Sequence, residues 1–252
     1  MNYRHIAFAS ALICTAFGLP LAAGATEPRA VIELFTSQGC SSCPAADKLL
    51  AELSHDSTLV TLSLAVDYWD YLGWKDTLAL HGHSNRERAY ADARGDREVY
   101  TPQVVVNGLV PVLGSDKAAI EHAIAQTRQS AKPLTLPVTL TVADGKVSVN
   151  VPAAKDEQGS AEIWLCPVTS KAQVAIARGE NRGHTLTYTN VVRRWVKLGV
   201  WTGKAETFSL PLASLPDAEF SLQDIDRIAV VVQRGVAAKP GAMLGAAMAD
   251  LH

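Results

Sequence analysis

Apolar residues recur with two different periods along this chain, and the change falls near its middle. Val31 to Phe35 (VIELF) has Val31, Glu33 and Phe35 on one side and Ile32 and Leu34 on the other, which predicts a strand inside a sheet. From Pro44 onward Ala46, Leu49, Leu50 and Leu53 recur at helical spacing, and Pro44 suits a first turn, where the missing N–H has no intrahelical partner anyway. Leu59 to Val66 (LVTLSLAV) is apolar on both alternating sets, so the strand, helix, strand order predicts parallel pairing. Ser84 to Glu87 (SNRE) matches a capping box and predicts a helix running to about Gly95, with Arg86, Glu87, Arg88, Asp92 and Arg94 read as a solvated charged face. Val104 to Val106, the turn Asn107-Gly108 and Leu109 to Leu113 predict a β-hairpin. Ser115 or Asp116 then caps a helix carrying Ile120, Ala123, Ile124 and Thr127, and Lys132-Pro133 ends the unit.

Beyond it the period becomes two. Leu134, Leu136, Val138, Leu140 and Val142 alternate, Asp144-Gly145 turns, and Val147, Val149 and Val151 alternate again. Pro137 on the other face indicates an edge or solvent-facing strand. Further β-runs at Ile163–Val168, Leu186–Val196, Glu206–Leu212 and Ile228–Gln233, with no long helix between them, predict a β-sandwich. The expected organisation is a leader over 1–25, an α/β unit over 26–131, a sandwich-like all-β unit over 132–236 and a tail over 237–252.

Composition narrows the class. With 252 residues, 48% hydrophobic, 19% charged and a net charge of -2, the chain reads as an ordinary globular protein, and bulk charge implies no nucleic-acid partner. Arg4 and His5 precede an apolar run from Ile6 to Leu21, followed by Ala23-Gly24-Ala25. This is the pattern of a cleaved secretory signal, the run being shorter than the roughly 20 residues of a bilayer span, so the expected location is periplasmic or secreted with no membrane span after cleavage. Cys14 leaves with the signal. Cys40, Cys43 and Cys166 remain, an odd count in a compartment where disulfides persist: one pair and one spare, buried thiol.

The candidate chemistry lies in Phe35 to Asp47, FTSQGCSSCPAAD, where Cys40 and Cys43 stand at the mouth of the first helix. Exposed N–H groups and the helix dipole there favour thiolate, the form that attacks disulfides and binds soft metals. Two thiols so spaced can close a small disulfide or hold Cu or Zn, in which case His81 or His83 would supply imidazole. Glu33 is either a buried acid near the thiols or an exposed edge residue. Trp69 and Trp74, in DYWDYLGWKD, either line a docking groove beside the thiols or close a core. In the second half RGENRGHTLTYTNVVRRW, Arg178 to Trp195, concentrates Arg178, Glu180, Asn181, Arg182, His184, Arg193 and Arg194, as a binding surface or an ordinary solvated one.

The first half, with GCSSCP after an apolar strand and Thr101-Pro102 opening VVVNG, resembles the thioredoxin fold. Nearly all of the mature chain resembles a family of secreted bacterial thioredoxin-like proteins of unknown function, marked by FTSQGCSSCPxAD and RGENRG. The resemblance implies that Cys40 is the attacking thiol and Cys43 the resolving one. It implies a cis Pro102 that presents the backbone of Thr101 to a bound peptide. It also implies a role for Glu33 near the position of a buried acid under the disulfide, one residue further from the first cysteine. Ser41 and Ser42 replace the residues that thioredoxins and glutaredoxins carry between their cysteines, so no redox potential transfers. The leading expectation is a thiol-disulfide oxidoreductase acting on protein or peptide thiols with no cofactor and an unidentified redox partner. The alternatives are a copper- or zinc-handling protein and a binding protein with a static disulfide.

Overall fold

The structure is a computed structural model, and it describes residues 28–130, 133–154 and 159–251. The expected leader over 1–25, including Cys14, lies outside the described residues.

One mixed sheet of nine strands runs through both halves of the chain. Within it β1 (Ala30–Thr36) pairs in parallel with β2 (Leu59–Ala65) and antiparallel with β3 (Gln103–Val106); β4 (Val110–Leu113) closes that edge. Helix α1 (Cys43–Leu53) links β1 to β2, α2 (His81–Arg94) links β2 to β3, and α3 (Lys117–Ser130) follows the hairpin. On the other side of β2 come β8 (Thr185–Val192), β7 (Ala161–Ala175), β11 (Arg227–Val236) and β12 (Lys239–Asp250), with β9 (Val196–Trp201) also paired to β7. A separate three-stranded sheet contains β5 (Thr139–Ala143), β6 (Lys146–Val151) and β10 (Glu206–Pro211).

Side-chain alternation along these strands builds the cores. Ile32 and Leu34 of β1 pack with Ala46, Leu49 and Leu50 of α1 and Ile120 and Ile124 of α3. Val31 and Phe35, on the opposite face, pack with Tyr90 of α2. In the second half Ile163 and Leu165 of β7 face Val147 and Val149 of the small sheet, whereas Cys166 and Val168 join the α2-side cluster. Two stacked β-layers over the second half therefore follow from the period-two pattern.

Asn107 ties the hairpin to the rest. At φ +53 its backbone N–H donates to Val31 O, its side-chain Oδ1 accepts Val31 N–H at 2.8 Å, and its Nδ2 donates to Thr127 at 2.9 Å. Gly108 beside it has φ +73, and a Cβ there would lie 2.4 Å from Gly241 O of β12, so only glycine fits.

Four expectations are corrected. The helix expected to open at Ser84 begins at His81, and Ser84 Oγ instead donates to Asp67 Oδ1 at 2.5 Å, tying the preceding loop rather than capping. Arg86 and Glu87, read as part of a solvated face, are buried, because α2 lies flat on the sheet. The expected tail over 237–252 contains β12, a twelve-residue strand paired along β11; its small residues Gly241, Ala242, Gly245, Ala246 and Ala247 suit close packing but give no period-two signal. The run expected over Leu186–Val196 divides into β8 and β9, both paired to β7.

Candidate functional site

Strand β1 ends at Thr36, and the chain turns through Ser37-Gln38-Gly39 before the cysteines. Gly39 permits this turn to pass close against Trp69: a Cβ there would lie 2.9 Å from Trp69 Cβ. Cys40 and Cys43 form a disulfide with Cα atoms 5.4 Å apart. Helix α1 starts at Cys43 with Ser42 at its N-cap and Pro44 in its first turn, so Cys40 lies in the turn just before the helix and not at its cap. Cys43 N–H donates to Cys40 O at 3.3 Å, and Ser42 Oγ lies 3.4 Å from Cys40 Sγ.

The disulfide is covered. Cys40 is 1% exposed and Cys43 fully buried, while Ser41 and Ser42 are exposed. Thr101 forms one wall: the Thr101-Pro102 bond is cis, and Thr101 O lies 3.7 Å from Cys40 Sγ. Trp69 Nε1 donates to Thr101 Oγ1 at 2.8 Å, and Trp74 Nε1 donates to Gln38 Oε1 at 2.8 Å, so the two tryptophans brace the turn from either side. Asp76 accepts Gln38 N–H at 2.7 Å and Leu78 N–H at 2.8 Å. Burial pushes its carboxyl up to about 6, against those hydrogen bonds.

The roof comes from the other half of the chain. The connection between β7 and β8 carries the RGENRG sequence, and Asn181 at its centre is buried, its Nδ2 donating to both Gln38 O and Cys40 O at 2.9 Å. Glu180 next to it accepts Ser41 N–H at 3.0 Å, and that hydrogen bond holds the exposed carboxyl below its usual range. The segment was open between a separate binding surface and a solvated one. Instead its two central residues fasten the cysteine turn, while Arg178 and Arg182 remain exposed.

Glu33 is buried, but the sheet separates it from α1. Residues alternate across β1, so Glu33 shares the α2 face with Val31 and Phe35, whereas α1 packs against Ile32 and Leu34. Glu33 accepts Arg86 Nε at 2.7 Å and Tyr90 Oη at 2.5 Å, and Arg86 also donates to Gln233 at 2.7 Å. This closed network joins β1, α2 and β11. The acid that does lie on the α1 face is Asp47, four residues after Cys43 and thus on the same side of the helix. Thr36 Oγ1 donates to Asp47 Oδ1 at 2.8 Å, while Oδ2 is buried and meets no partner among the described residues. Burial pushes Asp47 up to about 8, with the neighbouring Asp76 carboxylate adding to the shift. Tyr188 stands close to both acids, its hydroxyl buried without a partner among the described residues. Asp47 closes the FTSQGCSSCPAAD stretch, and the helical spacing from Cys43 was the signal that could have found it.

The two histidines go elsewhere. His83 is buried with Nδ1 against Ala65 O at 3.0 Å, and burial pushes it down to about 4; His81 pairs with Asp67 at 2.8 Å. Among the described residues, no group of three or more histidine, cysteine, aspartate or glutamate side chains is disposed to hold a metal ion. Cys166 is a free, buried thiol, raised by burial.

Comparisons with known proteins add a family and a structural neighbour. The profile of a family described as a protein of unknown function (DUF1223) matches residues 31–233. The crystal structure of an Agrobacterium tumefaciens protein from a structural genomics consortium is similar at 30% identity with a TM-score of 0.78, covering 90% of this chain and 96% of that one. A β-glucosidase structure from Kluyveromyces marxianus also matches, at 14% identity and a TM-score of 0.21 over 45% of this chain and 14% of that one, which carries no argument. No curated protein matches.

Proposed function

The chain belongs to the DUF1223 family, and from that premise we propose that it is a thioredoxin-like thiol-disulfide oxidoreductase of the periplasm or exterior, working through Cys40 and Cys43 on protein or peptide thiols. The single observation that carries this reading is the Cys40–Cys43 disulfide at the start of α1, with Thr101 O of the cis Thr101-Pro102 pair 3.7 Å from Cys40 Sγ. A backbone carbonyl beside Cys40 Sγ offers an extended peptide an edge to lie against. The β1-α1-β2-α2-β3-β4-α3 order is the order expected of a thioredoxin-like unit.

In the oxidising direction a substrate thiolate attacks Cys40 Sγ. The Cys40–Cys43 bond breaks and Cys43 departs with the electron pair as a thiolate. A second substrate thiolate then attacks the substrate sulfur of the mixed disulfide, releasing Cys40; substrate loses two electrons and the protein gains them as a dithiol. The reducing direction runs the same steps backward, with Cys40 thiolate attacking a substrate disulfide and Cys43 resolving. Asp47, raised to about 8, is protonated at neutral pH and holds a proton one helical turn from the leaving Cys43. It is suited to supply that proton and to take it back in reverse.

Trapping tests the reading. Cys43→Ser removes the resolving thiol, so a periplasmic extract should yield mixed disulfides through Cys40 that dithiothreitol releases and that Cys40→Ser/Cys43→Ser does not form. No difference between the two variants would refute exchange at Cys40.

A further inference from the structure

Helix α2 buries His83, Ser84, Glu87, Tyr90 and Ala91, positions that share one helical face, so Glu87 is an acid carried inside on that face. Its neighbour Arg86 is matched by Glu33, whereas the contacts of Glu87 go to two loops. Glu87 Oε1 accepts the Tyr100 N–H at 3.2 Å and the Tyr68 hydroxyl at 3.4 Å. Both donors adjoin the reactive edge. Tyr100 immediately precedes Thr101, whose carbonyl lies 3.7 Å from Cys40 Sγ. Tyr68 immediately precedes Trp69, whose Nε1 donates to Thr101 Oγ1, and the Tyr68 hydroxyl also engages the Thr101 side chain. The Tyr68 and Trp69 rings lie against each other with centroids 6.4 Å apart. One carboxyl oxygen therefore gathers both segments that hold Thr101, the connection after β2 and the approach to β3.

We propose that Glu87 is a positioning residue for exchange at Cys40: it fixes where the Thr101 carbonyl stands, and so how well a disulfide carried on a peptide backbone is presented to the sulfur compared with a small free one. This rests on the oxidoreductase reading of the site. Hydrogen bonds to a carboxylate are stronger than those to a neutral carboxyl or amide, so the hold on Thr101 follows the ionisation of Glu87. Burial pushes that carboxyl up to about 7, against the Tyr68 and Tyr100 hydrogen bonds and the charges of Arg88 and Arg94 on α2, the latter itself paired with Asp96 at 2.7 Å. Above that value the carboxylate grips both donors and Thr101 is held firmly. Below it the hold slackens, and the advantage of a peptide carrier falls.

Cys43→Ser leaves Cys40 as the attacking thiol for the test. Its thiolate attacks the carrier sulfur of a thionitrobenzoate mixed disulfide, a Cys40–carrier bond forms, and thionitrobenzoate leaves with the electron pair and is read by its absorbance. Two carriers are compared between about pH 6 and 8: an uncharged, end-blocked peptide with a central cysteine, and 2-mercaptoethanol, which has no backbone. The ratio of their rates cancels the reactivity of Cys40 itself, including the influence of Asp47 and Asp76. In Cys43→Ser the ratio should rise with pH by about tenfold, below the roughly hundredfold that a 1 Å misplacement costs, with its midpoint near pH 7. Glu87→Gln, of equal size and unable to ionise, should make the ratio low and flat in that background. Tyr68→Phe should lower the ratio at the upper end of the range and keep the inflection. A ratio that still rises in Glu87→Gln, or that is already flat in Cys43→Ser, overturns the role of Glu87 while exchange at Cys40 stands. Failure of both carriers to release thionitrobenzoate refutes the oxidoreductase reading and this inference with it.

Discussion

Asp47 shows most directly how one residue couples the site to the solvent. Its folded-state value is raised from 3.8 to about 8, so the native protein holds a proton that the unfolded chain releases above about pH 4. Native binding exceeds unfolded binding between those values, so Asp47's contribution makes stability fall as pH rises, by up to about 1.4 kcal/mol per pH unit. Asp76, raised to about 6, acts in the same sense over a narrower window, and His83, lowered to about 4, opposes both below its unfolded value of about 6.5. Urea unfolding of the wild type and Asp47→Asn at pH 5, 7 and 8 separates the Asp47 share: the variant should gain on the wild type as pH rises. If Asp47 also supplies the proton to Cys43, the rate at which dithiothreitol reduces the disulfide should lose its inflection near pH 8 in the same variant. The cysteines were legible because their spacing is itself the signal. Asp47 is less legible, because a carboxylate on a helix is ordinarily solvated; its spacing from Cys43 puts it on the same side of α1, and the packing against Thr36 and the sheet shows that this side is buried.

Helix α2 looks polar in sequence because the partners of its charges lie far away along the chain. Arg86 and Glu33 lie 53 positions apart in sequence, and Gln233 is 147 beyond Arg86; no local pattern foretells such a pairing. Strand β12 is hidden for another reason: it pairs with the adjacent β11 as a hairpin, but its run of small residues carries no period-two signal. Strands β1, β2, β3 and β6 were visible, since their alternation or uniform burial is a local property. The Glu33 network is therefore expected to be structural. Glu33→Gln leaves the Arg86 guanidinium buried without its countercharge and should cost about 3–5 kcal/mol in chemical denaturation. Disulfide exchange at Cys40 in the folded variant should remain close to wild type, because the sheet stands between them.

Across the whole molecule the two halves are joined at the cysteine turn. They share one sheet, and the loop between β7 and β8 reaches back to the turn that carries Cys40. Sequence order alone separates Asn181 from Cys40 by 141 positions, so the RGENRG segment was legible as unusual but not as part of this site. Asn181→Ala removes two donors from buried carbonyls, which should cost about 1–3 kcal/mol. It should also loosen the roof over Cys40, so reduction by glutathione should become faster, with Glu180→Gln giving a smaller effect from its exposed position. The proposed function requires a Cys40–Cys43 bond that is made and broken in use. Equilibrating the native protein against glutathione buffers and reading the thiol state by alkylation gives its reduction potential. The expected value lies between about -270 and -120 mV, the span of thiol-disulfide oxidoreductases, and a value below about -300 mV would mark a static bridge and contradict the account.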